Sequence, residues 1–119
     1  MIRVLVVDDS GDVRDVLDKA LGMMNYSVTA VPSREHALAE LKSRKPDVII
    51  MDFAMSGMSL DEFMTILNKQ KKRPPVILFT AAYDAPQKAR EFGLIHYIGK
   101  PFDLANLECV IQESLSTSA

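Results

Sequence analysis

The chain carries one cysteine, Cys109, so no disulfide can close within it, and the composition fits a reducing cytosol better than a secreted framework. An ordinary buried place on a helix is the expectation for Cys109. Positive charge is also in short supply: 14 Lys and Arg against 16 Asp and Glu leave a formal charge of -2. That balance argues against direct nucleic-acid binding, which needs a basic surface to neutralise phosphates. No apolar run approaches the roughly 20 residues that span a bilayer, so no membrane contact is expected. The run 4–7 that follows Met1-Ile2-Arg3 is too short for a signal-peptide core. Internal repeats, low-complexity segments and interdomain linkers are missing as well. The expectation is a single cytoplasmic domain, residues 1–119, without a second, effector domain.

What is present is an ordinary globular balance, 48% hydrophobic and 25% charged. Short apolar runs at 4–7, 28–31, 48–51, 76–79 and 95–98 alternate with helical patterns, the rhythm of strand-helix units in a parallel sheet. The first, third and fourth runs are continuously apolar, as strands covered on both faces must be. Polar residues break the second and fifth, which makes them the edges. Right-handed crossovers then favour an α/β fold, a doubly wound five-stranded parallel sheet of order 2-1-3-4-5, in a flavodoxin-like three-layer sandwich.

Helical faces follow from spacing. Val13, Val16, Leu17, Ala20, Leu21 and Met24 share one face, as do Ala37, Leu38 and Leu41 after Ser33. Ser59 with Glu62 reads as a capping box before Phe63, Ile66 and Leu67, and Asp103 caps a last helix with Leu104, Leu107, Val110 and Ile111. Gly93 marks a helix stop. Pro86, early in the fourth helix, predicts a short or displaced element there. The methionines, Met23, Met24 and Met64 among them, read as core filler, while Met55 and Met58 near the site suit either that or an adaptable partner surface.

In a doubly wound sheet the ligand crevice lies at the carboxyl ends of the strands. Asp8 and Asp9 follow strand one, Asp52 strand three, Thr80 strand four and Lys100 strand five. Neighbouring strands lie about 4.8 Å apart, so Asp9 and Asp52 come within a few ångströms, with Asp8 close behind. Three carboxylates so crowded either stay partly protonated or are neutralised by a cation. An all-oxygen pocket without His or Cys suits magnesium, while Lys100 offsets one charge only. A divalent ion, an ammonium and a hydroxyl converging on one carboxylate also meet the needs of phosphoryl transfer, with Asp52 as nucleophile. Taken singly, each residue has a plainer explanation: acids at a helix start, a strand-end hydroxyl, a Lys-Pro turn. Their ordered recurrence at the ends of separate strands is what carries the reading.

These segments, Val-Val-Asp8-Asp9-Ser, Ile-Ile-Met-Asp52-Phe, Leu-Phe-Thr80-Ala and Gly-Lys100-Pro101-Phe, resemble the receiver domain of bacterial two-component response regulators, chemotaxis regulators included. The resemblance covers essentially the whole chain. It implies a phosphoacceptor signalling switch, not a metabolic enzyme, with Mg2+ held by Asp8, Asp9, Asp52 and the main-chain carbonyl of Ala54. Asp52 takes a phosphoryl group from a sensor histidine kinase or phosphotransfer protein, while Thr80 and Lys100 bind phosphoryl oxygens and Lys100-Pro101 is cis. Thr80 and Tyr97 form the switch, and the face of helix four, strand five and helix five meets an output protein.

The chain departs from the family pattern in places. Ser56 and Leu60 stand where proline and glycine are common, leaving the rigidity of that loop open. Ala54 and Ala82 stand where relatives carry larger polar groups. The basic run Lys69, Lys71, Lys72 and Arg73 reads as a solvated helix end, and His36 and His96 lack metal-ligand spacing. Competing readings are the receiver fragment of a longer DNA-binding regulator, an aspartate-nucleophile phosphatase, and a flavin-binding domain. The phosphatase would want a second acid where Ala54 stands, and the flavin domain a hydroxyl-rich loop after strand one.

Overall fold

The computed structural model describes residues 1–81 and 83–117, so the expectation for Ala82 lies outside the described residues. Elements alternate throughout: β1 (Arg3–Val7), α1 (Gly11–Met23), β2 (Ser27–Val31), α2 (Arg34–Ser43), β3 (Val48–Asp52), α3 (Leu60–Leu67), β4 (Val76–Thr80), α4 (Ala85–Glu91), β5 (His96–Gly99) and α5 (Leu104–Thr117). The five strands are parallel in the order β2-β1-β3-β4-β5, as the apolar runs predict.

Side chains of a strand alternate between faces, so the continuous apolar strands feed two separate interiors. Leu5, Val7, Ile49, Met51 and Leu78 point to one, where Ala37, Leu41, Phe63, Leu67 and Ala89 from α2, α3 and α4 cover them. Val4, Val6, Val48, Ile50, Ile77 and Phe79 point to the other, under Leu17 and Leu21 of α1 and Leu107 and Ile111 of α5. Each fully buried Leu, Ile or Phe contributes roughly 1.5–3 kcal/mol, and these two layers hold the strand ends in place.

Short polar side chains start the helices. Ser10, Ser33 and Ser59 each accept from a backbone N–H three residues on, at Val13, His36 and Glu62, and Asp103 Oδ1 accepts from Asn106 N–H at 2.9 Å. By contrast α4 has only seven residues, a proline in its first turn and no side-chain cap from Asp84. It ends as expected at Gly93, whose φ of 71° a glycine adopts without strain.

Several expected placements differ. Val16 is 52% exposed because the stripe that meets the sheet runs through Leu17, Ala20 and Leu21, leaving Val16 at its margin. Met23, 78% exposed, lies off that stripe and is not core filler. Leu104 and Ile66 are exposed in the same way, at the borders of their helices. Cys109 is on a helix but exposed: α5 buries Leu107, Ile111 and Ser114, and position 109 faces away from that line. Finally, Ile95 precedes β5 and is exposed, because pairing with β4 begins at Ile77 and His96.

Candidate metal and phosphoryl-acceptor site

The ladders carry the polar strand ends to one edge. Val7 is in register with Met51, so Asp8 and Asp52 both stand one residue further on. Asp52 in turn is in register with Phe79 and Thr80 with Gly99, one residue before Lys100. Asp8 N–H donates to Val31 O at 3.2 Å and Lys100 N–H to Thr80 O at 2.9 Å, extending the ladders past their formal ends. Asp8, Asp52 and Thr80 are buried, whereas Asp9 is exposed.

Asp8, Asp9 and Asp52 each offer a carboxylate oxygen, and the three atoms lie within 4.8 Å of one another. Lys100 Nζ donates to Asp52 Oδ1 at 2.9 Å and reaches Asp8 Oδ2 at 3.4 Å. Its position is set from below by the Phe79 ring, 4.7 Å from Nζ to the centroid, and Phe79 packs edge-on against Phe102. The Lys100-Pro101 bond is cis. Asp8 is oriented locally, with Oδ1 accepting from Ser10 N–H at 2.9 Å and its carbonyl accepting from Arg14 Nη1 at 2.8 Å.

Burial, reinforced by the charge of Asp8, pushes the Asp52 carboxyl above the usual carboxylate range, against the opposing pull of Lys100 and an Ala54 backbone hydrogen bond. Burial would depress Lys100, but its hydrogen bond to Asp52 and the charges of Asp52 and Asp8 outweigh that and hold it above the ordinary lysine value. One ammonium therefore serves two acids while a third stands beside them. A hard divalent cation fits this donor set: all oxygen, no His or Cys in the group, one member exposed to solvent.

Sequence reasoning passed over Arg34. It is 2% exposed, and it donates through Nη1 to Met58 O at 2.7 Å and through Nη2 to Asp52 O at 3.0 Å and Phe53 O at 3.2 Å. Periodicity gives no signal for it, because the first residue of an amphipathic helix ordinarily faces water. Tyr97 is 39% exposed on the edge strand β5, and Thr80 is 4% exposed. His36 and His96 stand apart from the acidic group. Arg73 lies past the end of α3 and donates to Asn68 O at 3.3 Å, in keeping with a solvated helix end.

Sequence comparison places this geometry in a known family. Residues 4–112 match the response regulator receiver domain. The chain is 32% identical over 115 residues to the DNA-binding transcriptional regulator NtrC of Salmonella typhimurium, covering 95% of this chain and 24% of NtrC. It is 40% identical over 107 residues to the sensory transduction protein LytT of Bacillus anthracis, covering 87% of this chain and 43% of LytT. The chain thus spans from about a quarter to less than half of the length of these curated relatives. Among solved structures, the chemotaxis response regulator CheY4 of Vibrio cholerae superposes with a TM-score of 0.86 at 30% identity, over 97% of this chain and 99% of that one. Among the described residues no helix is long and apolar enough to cross a membrane. With its βα order, its acidic edge and a match over nearly its full length, the chain belongs to the receiver domain family of two-component response regulators.

Proposed function

We propose that the chain, as one receiver domain over residues 1–119, is a cytoplasmic switch in which Asp52 accepts a phosphoryl group from a histidine kinase or phosphotransfer protein. The observation that carries this reading is the convergence of Asp8, Asp9 and Asp52 with Lys100 Nζ at 2.9 Å from Asp52 Oδ1. An Asp52 carboxylate oxygen attacks the phosphorus of a phosphohistidine. The O–P bond forms as the P–N bond breaks, and the imidazole leaves with the electron pair and takes a proton from solvent. Asp8, Asp9, Asp52 and the Ala54 carbonyl are the groups that would hold Mg2+, which supplies positive charge against the spread negative charge of the moving phosphoryl.

Lys100 stays beside one phosphoryl oxygen and the Thr80 hydroxyl serves another. The acyl phosphate adds roughly two negative charges and three acceptor oxygens at the end of β3. Thr80 is drawn toward them, and Tyr97 turns inward into the space released. Exposed Ile95, Tyr97 and Leu104 then change the face that α4, β5 and α5 present to an output protein. Hydrolysis of the acyl phosphate resets the switch, which is the behaviour of a signal and not of a metabolic catalyst.

The test is incubation with a small phosphodonor, with and without Mg2+, and location of the added mass by peptide mapping. Label on the peptide containing Asp52, dependent on Mg2+ and absent from Asp52→Asn, is the expected result. Label that survives this exchange overturns the assignment. The match to NtrC, of which the chain spans 24%, favours a second reading, the receiver of a longer DNA-binding regulator. The length of the native gene product decides between the two.

A further inference from the structure

Arg34 sits where stability alone would not put a cation. It is the first residue of α2, at the positive end of the helix dipole, where a basic side chain is disfavoured. The residue is 2% exposed, and withdrawing a guanidinium from water is unfavourable before partners are counted. Among the described residues its buried Nε has no hydrogen-bond partner, which adds a further penalty. A residue that breaks several local rules at once, next to a reactive group, is where function is to be sought.

Its partners say what that function is. Nη2 donates to the carbonyls of Asp52 and Phe53, where the chain leaves β3, and Nη1 donates to Met58 O, two residues before α3 begins. One planar fork thus ties both ends of the segment 53–58 to α2. The last ladder bond before this segment is Phe53 N–H to Phe79 O at 3.0 Å. Beyond it the chain turns through Gly57 at φ 85°, so close to α2 that a Cβ there would lie 3.4 Å from Glu35 Oε2. Position 56 is serine, so no proline ring locks φ there, and the three guanidinium hydrogen bonds tie the segment instead.

We propose that Arg34 is a positioning residue of the phosphoacceptor site. Its three hydrogen bonds fix the course of residues 53–58 and thereby the orientation of the Asp52 carboxylate and the Ala54 carbonyl. This inference rests on the phosphoacceptor reading of Asp52 but concerns a different residue and a different measurement. The fork geometry is essential to it: a lysine ammonium is a point charge that cannot reproduce two parallel branches aimed at separate carbonyls. Charge and geometry are therefore separable by substitution.

Three variants test this: Arg34→Met, which removes charge and donors at similar length; Arg34→Lys, which keeps the charge; and Leu21→Ala, a core change in the opposite layer. Backbone amide exchange of residues 53–58 is measured in metal-free protein, corrected for each variant's global unfolding free energy. The rate of phosphorylation by a small phosphodonor is followed against Mg2+ concentration. The expected result is selective loss of protection at 53–58 in both Arg34 variants, absent from Leu21→Ala. A rate reduced at least tenfold in Arg34→Met, partial rescue in Arg34→Lys, and a raised half-saturating Mg2+ in both complete the pattern. Full rescue by lysine, or a loop no less protected than in Leu21→Ala, overturns the proposal. Should Arg34→Met not fold, Arg34→Lys carries the decision by the same readouts. If wild-type protein takes no label, the phosphoacceptor reading fails, and the exchange measurement still decides whether Arg34 holds the loop.

Discussion

Lys100 Nζ bridges the carboxylates of Asp52 and Asp8, 2.9 Å from one and 3.4 Å from the other. On the proposed function the ammonium shares the acids' charge with a metal ion and partners an incoming phosphoryl oxygen. Lys100→Met therefore separates the two roles. Mg2+ binding tightens several-fold, as a competing charge is gone, while phosphorylation at saturating Mg2+ slows by about 10- to 100-fold, the loss of one charge-assisted contact. Titration calorimetry and a timed labelling assay read both. A variant that binds Mg2+ more weakly and labels normally contradicts this account.

Burial and the neighbouring charge of Asp8 hold the Asp52 carboxyl above the usual carboxylate range, so the fold disfavours its negative form. The isosteric Asp52→Asn removes that charge, so metal-free variant protein melts above wild type, by about 4 °C if the gain is of order 1 kcal/mol. The sign is fixed by linkage. A carboxyl whose folded pKa is raised binds more protons when folded, so its cost to stability is full above that pKa and vanishes as pH falls through the ordinary carboxylate range. The difference in melting temperature between the two proteins accordingly shrinks in acid, and a gap that widens on acidification refutes the argument. Lys100 acts oppositely: its raised pKa gives stability present through neutral pH and lost only as pH climbs through its folded value.

If the three acids hold Mg2+ as proposed, the ion and protons compete for the same oxygens. Since the Asp52 carboxyl is held above the usual range, Mg2+ uptake releases protons and apparent affinity starts to fall at a higher pH than an ordinary carboxylate would require. At ten times the dissociation constant, Mg2+ stabilises the folded protein by about 1.4 kcal/mol, or roughly 5 °C in Tm. Calorimetry in buffers of different ionisation enthalpy counts the protons. Affinity unchanged between about pH 7 and pH 4 would run against a carboxylate site.

Two glycines respond in opposite directions to the same substitution. Gly22 lies within α1 with open space where a Cβ would stand, so Gly22→Ala stabilises by about 0.5–1 kcal/mol through helix propensity. Gly57 has φ 85°, and Gly57→Ala costs about 1–2 kcal/mol while disturbing the loop beyond Asp52. Denaturant titrations of both variants check the signs.

The strand order was readable because burial on both faces forces an unbroken apolar run, and Val48 to Met51 and Val76 to Phe79 differ visibly from Ser27 to Val31. The edge cluster was readable for the same reason: Asp8, Asp52 and Thr80 are the residues at which those runs stop. What the pattern could not supply was anything fixed by a contact across elements. Arg34 reaches 18 to 24 residues along the chain to its carbonyls, and no spacing rule encodes that. Helix margins were misjudged at Val16, Met23 and Cys109, since hydrophobicity alone does not say which side of a stripe meets the sheet.

The brevity of α4 has a consequence for how the molecule deforms. That helix gives the interior only the methyl groups of Ala85 and Ala89, where α1, α3 and α5 give leucine, isoleucine or phenylalanine. Dislodging it uncovers little oily surface and forfeits no side-chain cap, so this stretch can open while both packed layers stay closed. Amides of residues 87–91 then exchange with solvent well ahead of those in β3.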